Sequence, residues 1–148
     1  MEVPDRVSMI LKEKGGQVWS IVPNATVYDA LELMATKEIG ALLVMEGGQP
    51  VGVISERDYA RKIILRGRSS KDTEVREIMI SPLITISPDC SVNEAMRIMT
   101  ENRIRHLPVI GAEGGVRGMV SIGDLVKWII TSQEETIEHL HSYITGTR

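Results

Sequence analysis

The sequence predicts an α+β fold with α/β-like alternation, built from two tandem β-α-β-β-α repeats packed with pseudo-twofold symmetry. A repeated stretch is the first reason: GVISERD at Gly52–Asp58 returns as GMVSIGD at Gly118–Asp124. The second reason is that the two halves align: a shift of 65 positions superimposes Pro23 on Pro88, together with apolar and helix-face positions around them. Size is the third, since each half of the 148 residues is too small to bury its own apolar face.

Composition narrows the class of protein. Hydrophobic residues make up 43% and charged residues 25%, as in ordinary globular proteins, and the absence of Phe means that the core is mainly aliphatic. A net charge of −3 and a pI near 5.6 argue against nucleic-acid binding. The single Cys90 excludes an intramolecular disulfide and is interpreted as a small, half-buried residue in a reducing compartment. The N-terminus lacks the apolar run of a signal peptide or membrane anchor, which favours a cytoplasmic protein without a membrane partner.

The first half reads as a short helix followed by one repeat. Three apolar runs have the length and composition of strands: Val18–Val22, Ala41–Met45 and Val51–Ile54. Thr26 is placed to cap one helix, and Ser55 opens another that runs to about Leu65. Val7–Leu11, ahead of the glycine pair that starts at Gly15, predicts a short N-terminal helix.

The second half repeats this order after a polar stretch, residues 66–77, which carries almost no core signal and reads as a connector. Its predicted strands are Leu83–Ile86, Leu107–Ile110 and Met119–Ser121, and its first helix is capped by Ser91. The predicted organisation is an N-terminal segment (1–16), repeat 1 (17–68), a connector (69–77), repeat 2 (78–130) and a C-terminal helix extension (131–148).

The last helix is predicted from Asp124 towards Ile144, before Gly146. Its apolar positions alternate at spacings of three and four, in a seam that starts at Val126 and continues through Ile130, Gln133, Ile137 and Leu140. Such a seam either packs on a helix of a second subunit or folds back onto its own domain, and both readings stay open.

At this point the chain resembles a known family. A β-α-β-β-α unit that ends in G-h-h-S-x-x-D, with LLV (Leu42–Val44) or LPV (Leu107–Val109) in its central strand, resembles the CBS domain. Two in tandem resemble a stand-alone CBS domain pair, or Bateman module, over about residues 17–130. The resemblance implies a regulatory homodimer that binds an adenosine compound (AMP, ADP, ATP, NAD or S-adenosylmethionine) in clefts between the repeats and modulates a partner protein.

The chemistry of the repeated stretch fits such a ligand. An ionised carboxylate can accept both hydroxyl protons of a ribose cis-diol, which makes Asp58 and Asp124 the ribose candidates. Phosphates prefer hydroxyls, helix N-terminal N–H groups and cations, and the phosphate candidates are Ser55, Arg57, Ser121, Arg105 and His106.

By position, the resemblance to the CBS domain implies two ligand clefts. They contain the ribose and phosphate candidates and, in addition, residues that would contact the adenine. One takes Gln17, Trp19, Ile21, Ile39, Gly40, Ala41, Met119, Ser121 and Asp124. The other takes Val53, Ser55, Arg57, Asp58, Pro82, Ile84, Ile86, Ile104, Arg105 and His106. In the cleft that contains Ser55, Arg57 provides a cation close to the serine. The counterpart of Arg57 beside Ser121 is Gly123, so the Ser55 cleft is the better candidate for phosphate binding.

Alternatives accompany these assignments. Ser-x-x-Asp is also a capping box, in which the acid bonds back to its own helix start. Trp19 is as suitable for a protein core as for a contact with a base. Four basic residues are most simply interpreted as the solvent-exposed face of a helix and the segment that follows it: Arg61, Lys62, Arg66 and Arg68. The sequence shows no P-loop, GxGxxG, nucleophile–base pair or metal motif, which favours a regulatory protein over an enzyme acting on nucleotides. A dimerising scaffold without ligand is the other alternative.

Overall fold

The computed structural model describes residues 5–145, without the side chains of His139 and residues 142–145, so Gly146 and the side chain of Ile144 lie outside the description. The helices are α1 (Val7–Lys14), α2 (Val27–Lys37), α3 (Glu56–Lys62), α4 (Val75–Ile78), α5 (Val92–Asn102) and α6 (Ile122–Thr145), with a 3₁₀ turn at Ile64–Arg66. The strands are β1 (Ser20–Ile21), β2 (Ala41–Glu46), β3 (Gln49–Ser55), β4 (His106–Ile110) and β5 (Val116–Ser121). The predicted α+β class is confirmed.

The chain forms two compact units, one of which is Gln17–Ile84. Its sheet has the order β1-β2-β3, with β1 parallel and β3 antiparallel to β2. Thr26 caps α2 as predicted, accepting a hydrogen bond from Asp29 N at 3.0 Å. The α2 face of Val27, Ala30 and Met34 is buried against the sheet, because apolar residues three and four apart share one side of a helix. The predicted helix from Ser55 to Leu65 ends earlier, at Lys62, and gives way to the 3₁₀ turn.

Residues 66–77, predicted as a polar connector with almost no core signal, contribute Thr73 and Val75 to the buried part of this unit. Val75 and Ile78, at the two ends of α4, are 0% and 1% exposed, and Thr73 is also buried. Two apolar residues three positions apart are enough to anchor one helical turn, even when the residues between them are charged.

The second unit combines the N-terminal segment, up to Gly16, with the chain from Thr85 onward. β4 and β5 pair antiparallel, and α5 buries Val92, Ala95 and Met99. The predicted strand Leu83–Ile86 is wrong as a strand, since Ile86 alone bridges to Val109. The passage from one unit to the other at Ile84 and Thr85 divides that run.

The segment ahead of each repeat packs in the unit that holds the other repeat. Val7 N, at the start of α1, donates to Cys90 O at 2.9 Å, and Val75 N, at the start of α4, donates to Ala25 O at 2.9 Å. The acceptors are 65 positions apart, the same shift that relates the two repeats. The internal duplication therefore includes α1 and α4.

The glycine of each G-h-h-S-x-x-D stretch lies directly beneath this preceding segment. A Cβ added to Gly118 would lie 2.7 Å from Leu11 Cδ2, and one added to Gly52 would lie 2.7 Å from Met79 Sδ. Real Cβ atoms do not approach so closely. Both glycines are explained by this packing of helix on strand.

α6 has 24 residues and is about 36 Å long at 1.5 Å per residue. In its described part the predicted apolar seam is exposed, with Val126 at 41%, Ile130 at 49%, Ile137 at 67% and Leu140 at 54%. The seam therefore does not fold back onto its own unit.

Candidate functional site

The first junction, Ser55–Asp58 between β3 and α3, is a closed capping box. Asp58 Oδ2 accepts hydrogen bonds from Ser55 N at 2.9 Å and from Ser55 Oγ at 3.0 Å, while Ser55 Oγ accepts from Asp58 N at 3.3 Å. Lys62 Nζ lies 3.4 Å from Asp58 Oδ1 and donates to Ile78 O at 2.8 Å. Asp58 is 6% exposed, so its carboxylate is enclosed and satisfied by groups of its own unit.

The second junction, Ser121–Asp124 between β5 and α6, has the same reciprocal caps and is more open. Asp124 Oδ2 accepts from Ser121 N at 2.8 Å, and Ser121 Oγ accepts from Asp124 N at 3.1 Å. Here the side chain of Asp124 is 25% exposed. Both aspartates thus cap their own helices, and the second retains access to solvent.

A lysine from the N-terminal helix completes the second junction. Lys14 Nζ donates to Asp124 Oδ2 at 2.6 Å and to Met119 O at 2.9 Å. Burial alone would raise the pKa of Asp124, but the hydrogen bonds from Lys14 and from Ser121 N outweigh it and hold that pKa below its usual value. Asp124 is therefore ionised at neutral pH, as a ribose acceptor must be.

Within each unit, the start of the middle strand lies beside the junction. Ala41 pairs with Ser55, and Gly40 O accepts from Glu56 N at 3.0 Å. His106 pairs with Ser121 in the same way, and Arg105 O accepts from Ile122 N at 2.8 Å. Ala41 and Ser55 are 14 positions apart and His106 and Ser121 are 15 apart, and the resemblance assigns the two members of each pair to different clefts.

The other predicted site residues are divided between the units. The unit Gln17–Ile84 contains Gln17, Trp19, Ile21, Ile39, Val53, Arg57, Pro82 and Ile84, and the other unit contains Ile86, Ile104 and Met119. Val53, Ile86 and Ile104 are buried. Trp19 packs against the core of its unit, and Lys37 Nζ lies 4.2 Å from the centroid of its ring. The reading of Trp19 as a core residue is supported by this packing, while its ligand role stays a prediction.

Sequence reasoning missed both lysines that contact the aspartates. Lys62 was taken as part of a solvated face, but it is half-buried and holds Asp58 and the Ile78 carbonyl. The signal was present, because acid and base four residues apart on a helix face each other. Lys14 lies 110 positions from Asp124, and no local pattern indicates that pairing.

A cavity of about 520 Å³ lies between α1 and α6 in the same unit as the second junction. Lys14 and Asp124 line it together with Trp128, whose indole Nε1 donates to Asp5 Oδ2 at 2.7 Å. Trp128 stands 66 positions after Lys62, the shift that relates the two junctions, so the second repeat has no lysine at the position that pairs with the aspartate in the first.

Other chemistry in the described part of the chain is sparse. The described side chains include no group of three or more His, Cys, Asp or Glu arranged to hold a metal ion. Among residues 5–145, no helix combines the length and apolar character needed to cross a membrane. Cys90 is half-buried as predicted, and burial, with a smaller effect of Glu94, raises the pKa of its thiol.

Comparison of the sequence with known protein families also finds the duplication. The family model described as "CBS domain" matches the chain twice, at residues 16–65 and 75–131. The chain belongs to the CBS domain family. The match includes both junctions and most of the chain, so the predicted CBS pair is confirmed.

Relatives of this CBS pair are found among plant and bacterial proteins. It is 44% identical over 150 residues to the CBS domain-containing protein CBSX3, mitochondrial, of Arabidopsis thaliana, covering 95% of this chain and 72% of that protein. A solved structure of a protein with CBS domains from Burkholderia ambifaria is 48% identical with a TM-score of 0.81, covering 87% of this chain and 96% of that one. The CBS domain pair of protein MJ0100, solved with 5′-methylthioadenosine and S-adenosyl-L-methionine, shares the fold at 22% identity and a TM-score of 0.76, over 88% of this chain and 99% of that one.

Proposed function

We propose that this CBS pair is a regulatory protein that binds an adenosine-containing ligand and transmits its occupancy to a partner protein. The observation that carries the proposal is the second junction, where an ionised and partly exposed carboxylate stands at a helix N-terminus beside a serine hydroxyl. A carboxylate suits the ribose diol, and a hydroxyl with helix N–H groups suits phosphate.

The geometry favours the second junction over the first as the ribose site. Asp58 is 6% exposed and the Ser55 hydroxyl proton is used on its carboxylate, whereas the bonds between Ser121 and Asp124 leave the Ser121 hydroxyl proton available. The first junction has Arg57 as a nearby cation, but a ligand there must first open the capping box. We therefore assign the ribose contact to Asp124 and treat Asp58 as the weaker candidate.

A scaffold without ligand is the second candidate, and the enclosed first junction favours it. A buried capping box stabilises a helix start and needs no ligand to explain it. The exposed seam on α6 would then serve association with another subunit. The two functions differ in whether any adenosine compound stabilises the folded protein.

Thermal unfolding with AMP, ADP, ATP, NAD, S-adenosylmethionine and 5′-methylthioadenosine tests the proposal. A ligand at about one hundred times its Kd adds about 2.7 kcal/mol to the free energy of unfolding, which raises the Tm of a protein of this size by roughly 5–10 °C. Asp124→Ala should abolish that shift. Glu138→Ala, an exposed acid on the same helix, is the matched control and should leave it unchanged.

The outcomes separate the two candidates. A shift that persists in Asp124→Ala but disappears in Asp58→Ala would move the site to the first junction. No shift with any of the six compounds at millimolar concentration would reject the sensor and favour the scaffold. Partner regulation requires its own assay, in which a captured protein binds the free and occupied CBS pair with different affinity.

A further inference from the structure

Lys14, in the segment ahead of the first repeat, bonds to Asp124 of the second junction and to Met119, two residues before that junction. Its ammonium contacts Asp124 Oδ2 at 2.6 Å and Met119 O at 2.9 Å, while its side chain remains 38% exposed. Both acceptors belong to the set that the family pattern assigns to the ligand.

The Met119 carbonyl is available to Lys14 because of the sheet register. Pro108 stands opposite Met119 and uses its carbonyl to accept from Ile86 N at 3.1 Å, on the side away from β5. Pro108 and Met119 therefore form a pair without hydrogen bonds to each other, and the main-chain groups of Met119 point to the outer edge of β5. α1 lies along that edge.

The other unit fills the equivalent edge with main chain. Val53, the counterpart of Met119 at a shift of 66, exchanges two hydrogen bonds with Ile80, at 3.2 and 2.8 Å. Ile80 follows α4, which has four residues, whereas the matching α1 has eight. Because α1 is one turn longer than α4, a single flexible lysine side chain contacts Met119 at the position where, in the other unit, two main-chain hydrogen bonds join Val53 to Ile80.

The ammonium also uses acceptor capacity that a ribose needs. A carboxylate oxygen accepts about two hydrogen bonds. Asp124 Oδ2 already accepts from Ser121 N and from Lys14 Nζ, so a diol that bonds to both carboxylate oxygens must displace one of them. Ser121 N is fixed by the cap of α6, and the lysine side chain is the donor that can move.

We propose that Lys14 is a latch on the second junction, released when an adenosine-containing ligand binds Asp124; this rests on the proposed function. Release is confined to the last turn of α1, because Val7, Ile10 and Leu11 anchor the rest of the helix in the core. Gly15 follows at a φ of 96°. The latch lowers ligand affinity and makes occupancy visible as a change at the end of α1 and in the adjoining cavity.

Isothermal titration with AMP and with 5′-methylthioadenosine tests the latch, using Lys14→Ala and, as the matched control, Lys12→Ala in the same turn. The heat that Asp124→Ala abolishes is assigned to the second junction. Losing a half-exposed ion pair should tighten binding of both compounds to Lys14→Ala by roughly two- to fivefold, with no change in Lys12→Ala. Hydrogen exchange of the last turn of α1 should accelerate in Lys14→Ala without ligand, and in the wild type when either compound is added.

The two compounds distinguish the latch from a phosphate contact, since only AMP carries phosphate. Weaker AMP binding by Lys14→Ala, with 5′-methylthioadenosine unchanged, would make Lys14 a phosphate ligand and overturn the latch. Binding that Asp124→Ala abolishes but Lys14→Ala leaves unchanged would also overturn it, while the proposed function stands. No binding by any variant would overturn both, and binding by Lys14→Ala alone would support both.

Discussion

Removing the two junction carboxylates one at a time should destabilise the protein unequally. In Asp58→Ala the buried Ser55 N–H loses its acceptor, and Lys62 loses its ion-pair partner but keeps its hydrogen bond to Ile78 O. In Asp124→Ala the equivalent cap is lost where the carboxylate is 25% exposed, so water can replace part of the lost bonding.

The magnitudes follow from burial. An unsatisfied buried donor costs about 1–3 kcal/mol, and with the lost cap Asp58→Ala should lower the free energy of unfolding by about 2–4 kcal/mol. Asp124→Ala loses a cap and a half-exposed ion pair, together about 1–2 kcal/mol. The difference corresponds to a gap in Tm of roughly 2–8 °C between the variants.

Urea unfolding followed by circular dichroism, without ligand, measures both values. Glu56→Ala, an exposed acid in the first turn of α3, is the control and should cost less than about 1 kcal/mol. Equal losses in the two aspartate variants, or a larger loss in Asp124→Ala, would refute the argument that the first junction is the enclosed cap and the second the accessible one.

Three further predictions concern the core, the glycines and pH. Ile78→Ala should lower the free energy of unfolding by about 2–5 kcal/mol, against less than about 1 kcal/mol for the exposed Leu65→Ala; similar urea midpoints would contradict the placement of α4 in the core. Gly118→Ala should cost about 1–3 kcal/mol through its clash with Leu11, and a gain in Tm would show that α1 is not packed there. Asp124→Asn should lose stability at neutral pH but converge with the wild type in acid: the lowered pKa of Asp124 means that its contribution is present above the unfolded value near 3.8 and is lost as the pH falls through the folded value. Unfolding curves at pH 7 and pH 3 test this, and a constant gap would contradict it.

The parts of the fold with regular local patterns were predictable from the sequence. Thr26 and Ser91 cap helices as expected, and the runs at β2 and β4 are buried strands, because caps and apolar periodicity act over a few residues. The burial of Val75 and Ile78 was not predictable in the same way, since one helical turn is too short to show a period. Their burial depends on a core formed by residues distant in sequence, among them Val27 and Leu42.

In the candidate site, too, local features were predictable from the sequence and contacts between distant residues were not. The Ser-x-x-Asp stretches are read directly from the sequence, and their capping geometry follows from the spacing. Which aspartate is accessible depends on a side-chain exposure of 8% for Asp58 against 25% for Asp124, and that difference comes from groups that are distant in sequence. The contact of Lys14 with Asp124 arises from an extra helical turn at the opposite end of the chain, where only the folded structure brings the two together.

α1 and α4 each pack in the unit that holds the other repeat, so the two units become complete at different times during synthesis. α4 pairs with a segment about 50 residues before it, so the unit Gln17–Ile84 can close as soon as its own residues have emerged. α1 is made before the rest of its unit, and its partner Cys90 emerges 83 residues after Val7, several seconds later at ribosomal rates of about 5–20 residues per second. Throughout that delay Val7, Ile10 and Leu11 have no core to enter. In the nascent chain α1 is therefore an exposed apolar segment until the rest of its own unit has emerged.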